Sequence, residues 1–245
     1  MLEVRPYGEA DLLVVVLTEA LGRHHGLARG GAGRRQAAIW QPGNLVAARW
    51  LGRLADQLGS LSGDLVHAGA ALAFDDPLRL RTLGAACAIA ASALPEREPH
   101  ARVFGGLLRL IAGLGLNPAP LATLVRWEAE LLADLGYGLD LSRCAVTGAS
   151  DGLAYVSPKS GRAVAAAAAG PWRDRLLALP AFLLGTGDGD MTAWRDGLRL
   201  TGHFLARDAF GAHHRPLPAS RASLYDHVCR LAAPESGLAA AETEV

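Results

Sequence analysis

Lysine is almost missing from this chain: Lys159 is the single example among 24 cationic residues, and arginine supplies the rest. Net charge is missing as well, because 24 acids balance those cations. Zero formal charge excludes a globally basic nucleic-acid binder, so any polyanion site has to come from local asymmetry. There are only three cysteines, Cys87, Cys144 and Cys229. They are odd in number and far apart, so no disulfide framework follows, and a reducing cytoplasm is the simplest home. Long apolar runs are lacking. The longest, 83–94, falls short of the about 20 residues that a bilayer span needs. Glu3, Arg5, Glu9 and Asp11 interrupt the N-terminus, so neither a signal peptide nor a membrane partner is expected. No G-x-x-x-x-G-K-[ST] occurs, which leaves nucleotide hydrolysis without support.

What is present is an uneven distribution. The 245 residues, 51% of them hydrophobic, suffice for one large domain or two small ones. Residues 1–53 hold seven arginines against four acids, net +3, whereas 54–100 hold three against six, net −3. The basic excess centres on 17–35, LTEALGRHHGLARGGAGRR, with its glycines, arginines and paired histidines. Glycine lets another backbone come close, and the arginine fork donates two hydrogen bonds to one phosphate. The stretch therefore reads either as a polyanion-facing surface or as a solvated hairpin.

Strand-like runs at 12–17, 26–29, 44–51 and 58–67, divided by turns such as Gln41-Pro42-Gly43, suggest a small antiparallel barrel or sandwich. After Asp76-Pro77 the character changes. Asp75 or Asp76 can cap a helix over 78–94 with Pro77 in its first turn. Helical stripes follow at Val103, Leu107, Leu110, Ile111 and Leu114, and at Leu121, Leu124, Val125, Glu128, Leu131, Leu132 and Leu135. Residues 142–165 break the pattern with a β-like insertion. Helices are expected again over 172–184, 191–210 and 220–231. The class is α+β: a β head over 1–76, a helical body over 77–235, and a disordered tail at 236–245.

Three motifs fail on context. Gly148-Ala149-Ser150-Asp151-Gly152 fits G-x-S-x-G, but a second strand rather than a helix follows it, so it is a hairpin loop and not a nucleophile elbow. The run 185–190, GTGDGD, lacks the closing glutamate of a calcium loop and reads as a connection between helices. The pairs His24-His25 and His213-His214 have no ligand neighbours at metal spacing. No catalytic constellation emerges, and the chain is expected to be no enzyme and to need no cofactor.

Several segments together carry a family resemblance: RWEAELLADLGYG at 126–138, the opening strands at 5–35, the turn Trp40-Gln41-Pro42-Gly43, GLRLTGHFLARDAF at 197–210 and RPLPASR at 215–221. In order and spacing the chain resembles the RecO family of bacterial recombination mediators and DNA repair proteins, in its alphaproteobacterial branch. The resemblance spans nearly the whole chain. It implies an OB-fold head, which binds oligonucleotides with basic and aromatic residues, followed by a helical domain. It also implies binding of single- and double-stranded DNA, annealing of complementary strands, cooperation with RecR, and recognition of the C-terminal tail of the single-strand binding protein SSB. Together these let RecA load onto coated DNA in the RecF pathway, in the cytoplasm at the nucleoid. The DNA-contacting residues expected on this basis are Arg23, Arg29, Arg34 and Arg35, with Arg49 and Arg53 next.

Two departures from the family pattern bear on the site. Some members hold zinc with two C-x-x-C pairs, whereas here Thr147 follows Cys144 at the second position and 157–160 is Ser-Pro-Lys-Ser. One thiolate does not make a four-ligand zinc site, so a metal-free hairpin is expected. Met1 also comes late against the family's opening, so a shortened first strand is expected. For the acidic SSB tail, Arg126 and Trp127 are the candidates. The alternative for Arg126 is a surface pair with Glu130, four residues on.

Overall fold

A computed structural model describes residues 1–52, 58–116 and 118–233. Arg53 and the tail expected at 236–245 lie outside the described residues.

Five strands build the head: β1 (Glu3–Tyr7), β2 (Asp11–Thr18), β3 (Gly22–Ala28), β4 (Leu45–Leu51) and β5 (Gly59–His67), with a short helix α1 (Arg34–Ile39) between β3 and β4. Their order in the sheet is β1-β2-β3-β5-β4. All pairs are antiparallel except β3 and β5, which run parallel through Gly26 opposite Gly59 and Leu27 opposite Ser60. The apolar run in β2 is nearly continuous because the strand is covered on both sides. Leu12, Val14 and Val16 face a head cluster with Ala28, Trp40 and Leu61. Leu17 and Val15 pack into the core of the helical body. The Trp50 indole lies across β5, where a Cβ on Gly59 would stand 2.3 Å from Trp50 Cε2. Only glycine lets that ring close the sheet.

The junction of head and body is polar and specific. Asp76 caps α2 (Pro77–Ala93), accepting from the N–H groups of Leu78 at 2.8 Å and Arg79 at 3.2 Å. The segment after α2 then runs along β3: the Arg97 N–H donates to Arg23 O at 2.9 Å. Arg23 Nε donates to Leu94 O at 2.8 Å, and His25 Nδ1 meets Glu96 Oε1 at 2.5 Å. Gly22 sits at φ +69°, and a Cβ there would stand 1.9 Å from Glu98 O. Both the left-handed backbone and the close approach demand glycine.

The body begins with α3 (Ala101–Gly113) and α4 (Pro120–Asp134). Their apolar stripes are buried as the helical period requires: Val103, Leu107, Leu110, Ile111 and Leu114, then Leu121, Leu124, Val125, Leu131 and Leu132. Each such side chain is worth about 1.5–3 kcal/mol when fully buried. A second sheet follows, β6 (Leu153–Val156), β7 (Ala163–Ala165) and β8 (Leu177–Ala178) in the order β7-β6-β8, with a single-turn helix α5 (Ala166–Ala169) after β7. Helix α6 (Met191–Phe204) continues into a π-helical turn over Leu205–Phe210, and α7 (Ala219–Leu231) ends the described chain.

One expected helix does not form. Over 172–184 the chain makes a 3-10 turn at Gly170–Arg175, the strand β8, and a second 3-10 turn at Ala181–Leu184. Pro180 is the reason: in a helix interior it removes a hydrogen bond and clashes with the preceding turn.

Candidate nucleic-acid interface

The turn from β3 to α1 is built to hold its shape. Asp11 Oδ1 accepts the Gly30 N–H at 2.8 Å, with Gly30 at φ +64°. The Ala32 N–H reaches back to Ala10 O at 2.9 Å. This frame carries Arg29 at the end of β3 and sets Gly33 as the cap of α1, so that Arg34 and Arg35 form the helix's first residues. Cations at a helix N-terminus work against the macrodipole, by about 0.3–1 kcal/mol each, and no acid in the first turn offsets them. Arg49 stands in the middle of β4 opposite Ser62 of β5. All four arginines are exposed, and no side chain among the described residues bonds or pairs with them.

Arg23 is placed differently. Its guanidinium is spent on Leu94 O and, at 3.5 Å, on Glu96. It ties the body to β3 and is not a free cation beside the other four. The adjacent His24 faces Trp50, with ring centroids 6.4 Å apart, and its pKa is lowered first by burial and next by Arg97. The histidine pair is thus tied to the junction, His25 through Glu96 and His24 against Trp50. Arg53 lies outside the described residues.

On the body, Arg126 and Trp127 separate although adjacent. Trp127 is only 2% exposed, and its indole N–H donates to Val103 O at 3.1 Å. It is a packing residue of the core, which corrects its expected place in a peptide site. Arg126 lies at the surface but not against Glu130, which instead meets Arg109 at 3.8 Å. Its fork takes Gly187 O at 2.7 Å and Asp188 Oδ1 at 3.0 and 3.1 Å, and it lies 5.3 Å over the Phe182 ring. The 185–190 connection thus supplies a carboxylate to Arg126 through Asp188, and through Asp190 it caps α6. The fork of Arg126 is already arranged around a carboxylate and an aromatic face.

Sequence reasoning missed a buried trio. Glu128, at 0% exposure inside the α4 stripe, receives Arg221 Nε of α7 at 2.5 Å and the Thr201 hydroxyl of α6. Arg221 also donates to Leu198 O at 2.8 Å. A carboxylate in an apolar stripe was the available signal, because a buried charge needs a partner.

The residues around Cys144 do not fit a zinc ion. Among the described residues no three His, Cys, Asp or Glu side chains gather as a ligand set. Cys144 Sγ instead accepts the Ala165 N–H at 3.2 Å. That bond, with further bonds from Thr147, pulls the thiol pKa from 9.0 down to about 6. Ser150 leads straight into β6, so no strand–turn–helix elbow is formed. No helix among the described residues is long and apolar enough to cross a membrane.

The molecule is thus an α+β protein with a five-stranded head that displays free arginines above a helical body. Two family models divide it in the same sense: recombination protein O N terminal matches residues 1–68, and recombination protein O C terminal matches 75–216. Similar proteins include the DNA repair protein RecO of Acidiphilium cryptum, 60% identical over 234 residues, which cover 94% of this chain and 93% of that one. That of Granulibacter bethesdensis is 57% identical over 96% of this chain and 95% of its own length. That of Rhodospirillum rubrum is 48% identical over 96% of both. The chain belongs to the recombination protein O family.

Proposed function

We propose that this chain is a non-catalytic mediator of DNA repair and recombination. It binds single- and double-stranded DNA, anneals complementary strands and, with RecR, helps load RecA onto DNA coated by SSB, in the cytoplasm. The observation that carries this reading is the set of four exposed arginines, Arg29, Arg34, Arg35 and Arg49, on one small β head, none of them partnered among the described residues. Unpaired arginine suits the sugar-phosphate backbone, which fixes position without reading sequence. The strand order with one parallel pair supports treating the head, residues 1–76, as an OB-fold, a partly open barrel whose strand face binds oligonucleotides. The names of the relatives, DNA repair protein RecO, support the pathway. The body, 77–235, would then carry the protein contacts, with a metal-free hairpin over 142–165. The test is titration of a labelled oligothymidylate at several salt concentrations. Log affinity falling with log salt by about 0.7 per phosphate contact is expected; affinity indifferent to salt, or no binding at low salt, rejects the reading.

A second reading, an adaptor for the SSB tail with weaker DNA binding, has its own support. Arg126 is half-exposed, lies over Phe182 and holds the carboxylate of Asp188, which is itself 61% exposed. An acidic peptide ending in an apolar residue would offer Arg126 the same chemistry. Both activities fit one protein, because they use different regions.

A further inference from the structure

The head exposes the rings of Tyr7, at 51%, and Phe74, at 61%, but neither of its two indoles. Trp40 is 2% exposed and Trp50 is turned toward the head core. Across the whole molecule Trp127 is buried and Trp194 is half-buried with its N–H on Asp188 O at 2.6 Å. Trp172 alone among the five tryptophans stands out, 59% exposed.

Its display is built. Ala169, 1% exposed, and Leu177, 7% exposed, anchor the two ends of the 3-10 turn Gly170–Arg175. Gly170 turns the chain at φ +44° and Pro171 restricts the next step. The Leu176 N–H closes the turn on Arg173 O at 3.1 Å. From Pro171 to Arg175 every residue is exposed, while Leu176 packs against the cluster of Cys144, Val164 and Ala165. Arg175 lies 5.6 Å over the Trp172 ring and Arg173 lies 5.9 Å over the ring of Tyr155 on β6. Neither arginine pairs with a carboxylate among the described residues.

The charge map isolates the same region. Residues 137–178 hold five cations against three acids, net +2, the same excess as the six against four of residues 1–52. The other two stretches, 53–136 with seven against nine and 179–245 with six against eight, are each net −2. The chain is thus basic in two places, the arginine-bearing head and the small sheet that carries Trp172.

We propose that Trp172, Arg173 and Arg175 form a second contact for single-stranded nucleic acid, with the indole stacked on an unpaired base and the arginines on the flanking phosphates. This deepens the mediator reading and rests on it. Stacking on an indole is tolerant of sequence but needs a base outside a duplex, so the surface favours single strands where the head's arginines, on backbone phosphate alone, do not discriminate. A chain with two such sites can hold one strand at two points, or two strands at once.

The test uses the full chain, a fluorescein-labelled oligothymidylate and a matched duplex. Trp172→Ala is expected to weaken single-strand binding by about tenfold while duplex affinity stays within about twofold. Trp172→Phe, which keeps a ring, should recover most of the loss, and Arg173→Ala with Arg175→Ala should flatten the salt dependence. Trp50 and Trp194 are partly covered and Trp40 and Trp127 are buried, so quenching of tryptophan emission by unlabelled oligothymidylate should fall sharply in Trp172→Phe, and the lost fraction reports Trp172. Wild-type binding to the single strand with no quench, and with Trp172→Ala indistinguishable from it, overturns this inference and leaves the head's role standing. Failure of the wild-type chain to bind oligothymidylate at all overturns the mediator reading and this inference together. Quenching by an acidic peptide but not by the oligonucleotide assigns the surface to a protein partner and overturns it too.

Discussion

The arginines of the head and the arginine at the centre of the body have opposite fates. Arg29, Arg34, Arg35 and Arg49 are exposed and have no partner among the described residues, and two of them occupy the helix end where cations are least welcome. Arg221 is 1% exposed and clamps Glu128, Thr201 and Leu198 O, joining α4, α6 and α7. The same side chain is structural where a buried carboxylate and carbonyl hold its fork, as Glu128 and Leu198 O hold Arg221, and available for a ligand where the described residues offer it none. Folding explains Arg221 completely; it gives the head's arginines no role.

The sharpest way to break that contrast is to unpair the buried site. Glu128→Ala leaves the Arg221 guanidinium buried without its carboxylate, and Arg221→Ala does the reverse. Each should destabilise the protein by about 3–5 kcal/mol, read as a lowered midpoint in urea unfolding. Affinity of the remaining folded protein for oligothymidylate should not change. A loss below about 1 kcal/mol would mean that water reaches the pair.

The converse substitution is Arg34→Ala with Arg35→Ala. Stability should not fall and should rise by up to about 2 kcal/mol, because both cations leave the N-terminal end of the α1 dipole. Removing two phosphate contacts should lower single-strand affinity roughly 25-fold at 0.1 M salt and make the salt slope shallower by about 1.4. Unchanged affinity at low salt would take α1 out of the interface.

How far this division could be read from sequence depended on distance along the chain. The apolar run of β2 and the stripes of α3 and α4 are local signals, and their burial follows them. Glu128 was visible as a carboxylate within an apolar stripe, but its partner lies 93 residues away, and no local pattern finds it. Arg23 looked like its exposed neighbours because its acceptor, Leu94 O, is 71 residues distant. Trp127 sits beside a surface arginine, and one residue is about 100° of helix, which here turns it from rim to core. The helix expected over 172–184 ignored Pro180, a signal that was present and outweighed by the leucines and alanines around it. The free arginines of the head were legible as a charge excess; that they lack partners was not.

Arg126 lies between the two extremes, paired but half-exposed, and so tests whether a satisfied arginine can still serve a ligand. Arg126→Ala should weaken binding of an SSB tail peptide by about tenfold, since the peptide's carboxylate would be left unpaired, without altering oligothymidylate binding. Asp188→Asn should act in the opposite sense, freeing the guanidinium and tightening the peptide a few-fold. Wild-type peptide affinity in Arg126→Ala returns this residue to the structural class of Arg221.

The smallest expected effect belongs to Cys144, which extends the comparison from cations to a thiol. At Cys87 burial outweighs the N-terminal ammonium and the Gly43 N–H, and pushes its thiol up to about 11. Cys144 is equally buried, but the Ala165 and Thr147 bonds bring it down to about 6 from an ordinary 9.0. Between about pH 6 and 9 the unfolded chain therefore holds a proton on Cys144 that the folded chain has released. Stability must rise with pH across that window, and the contribution is lost as pH falls through about 6. Cys87 acts with the opposite sign above pH 9, where the folded chain keeps the proton longer. Comparing wild type with Cys144→Ala at each pH cancels Cys87 and the histidines, so the difference in unfolding free energy should grow from pH 6 to pH 9. The same donors replace what a metal would supply, and with one thiolate the ligand set is too small for structural zinc. Metal analysis of the purified protein should find no stoichiometric zinc, and a chelator should leave the melting temperature where it was. A stability difference that stays flat with pH, or a tightly held zinc per chain, would show that the hydrogen bonds to Cys144 do not govern its ionisation.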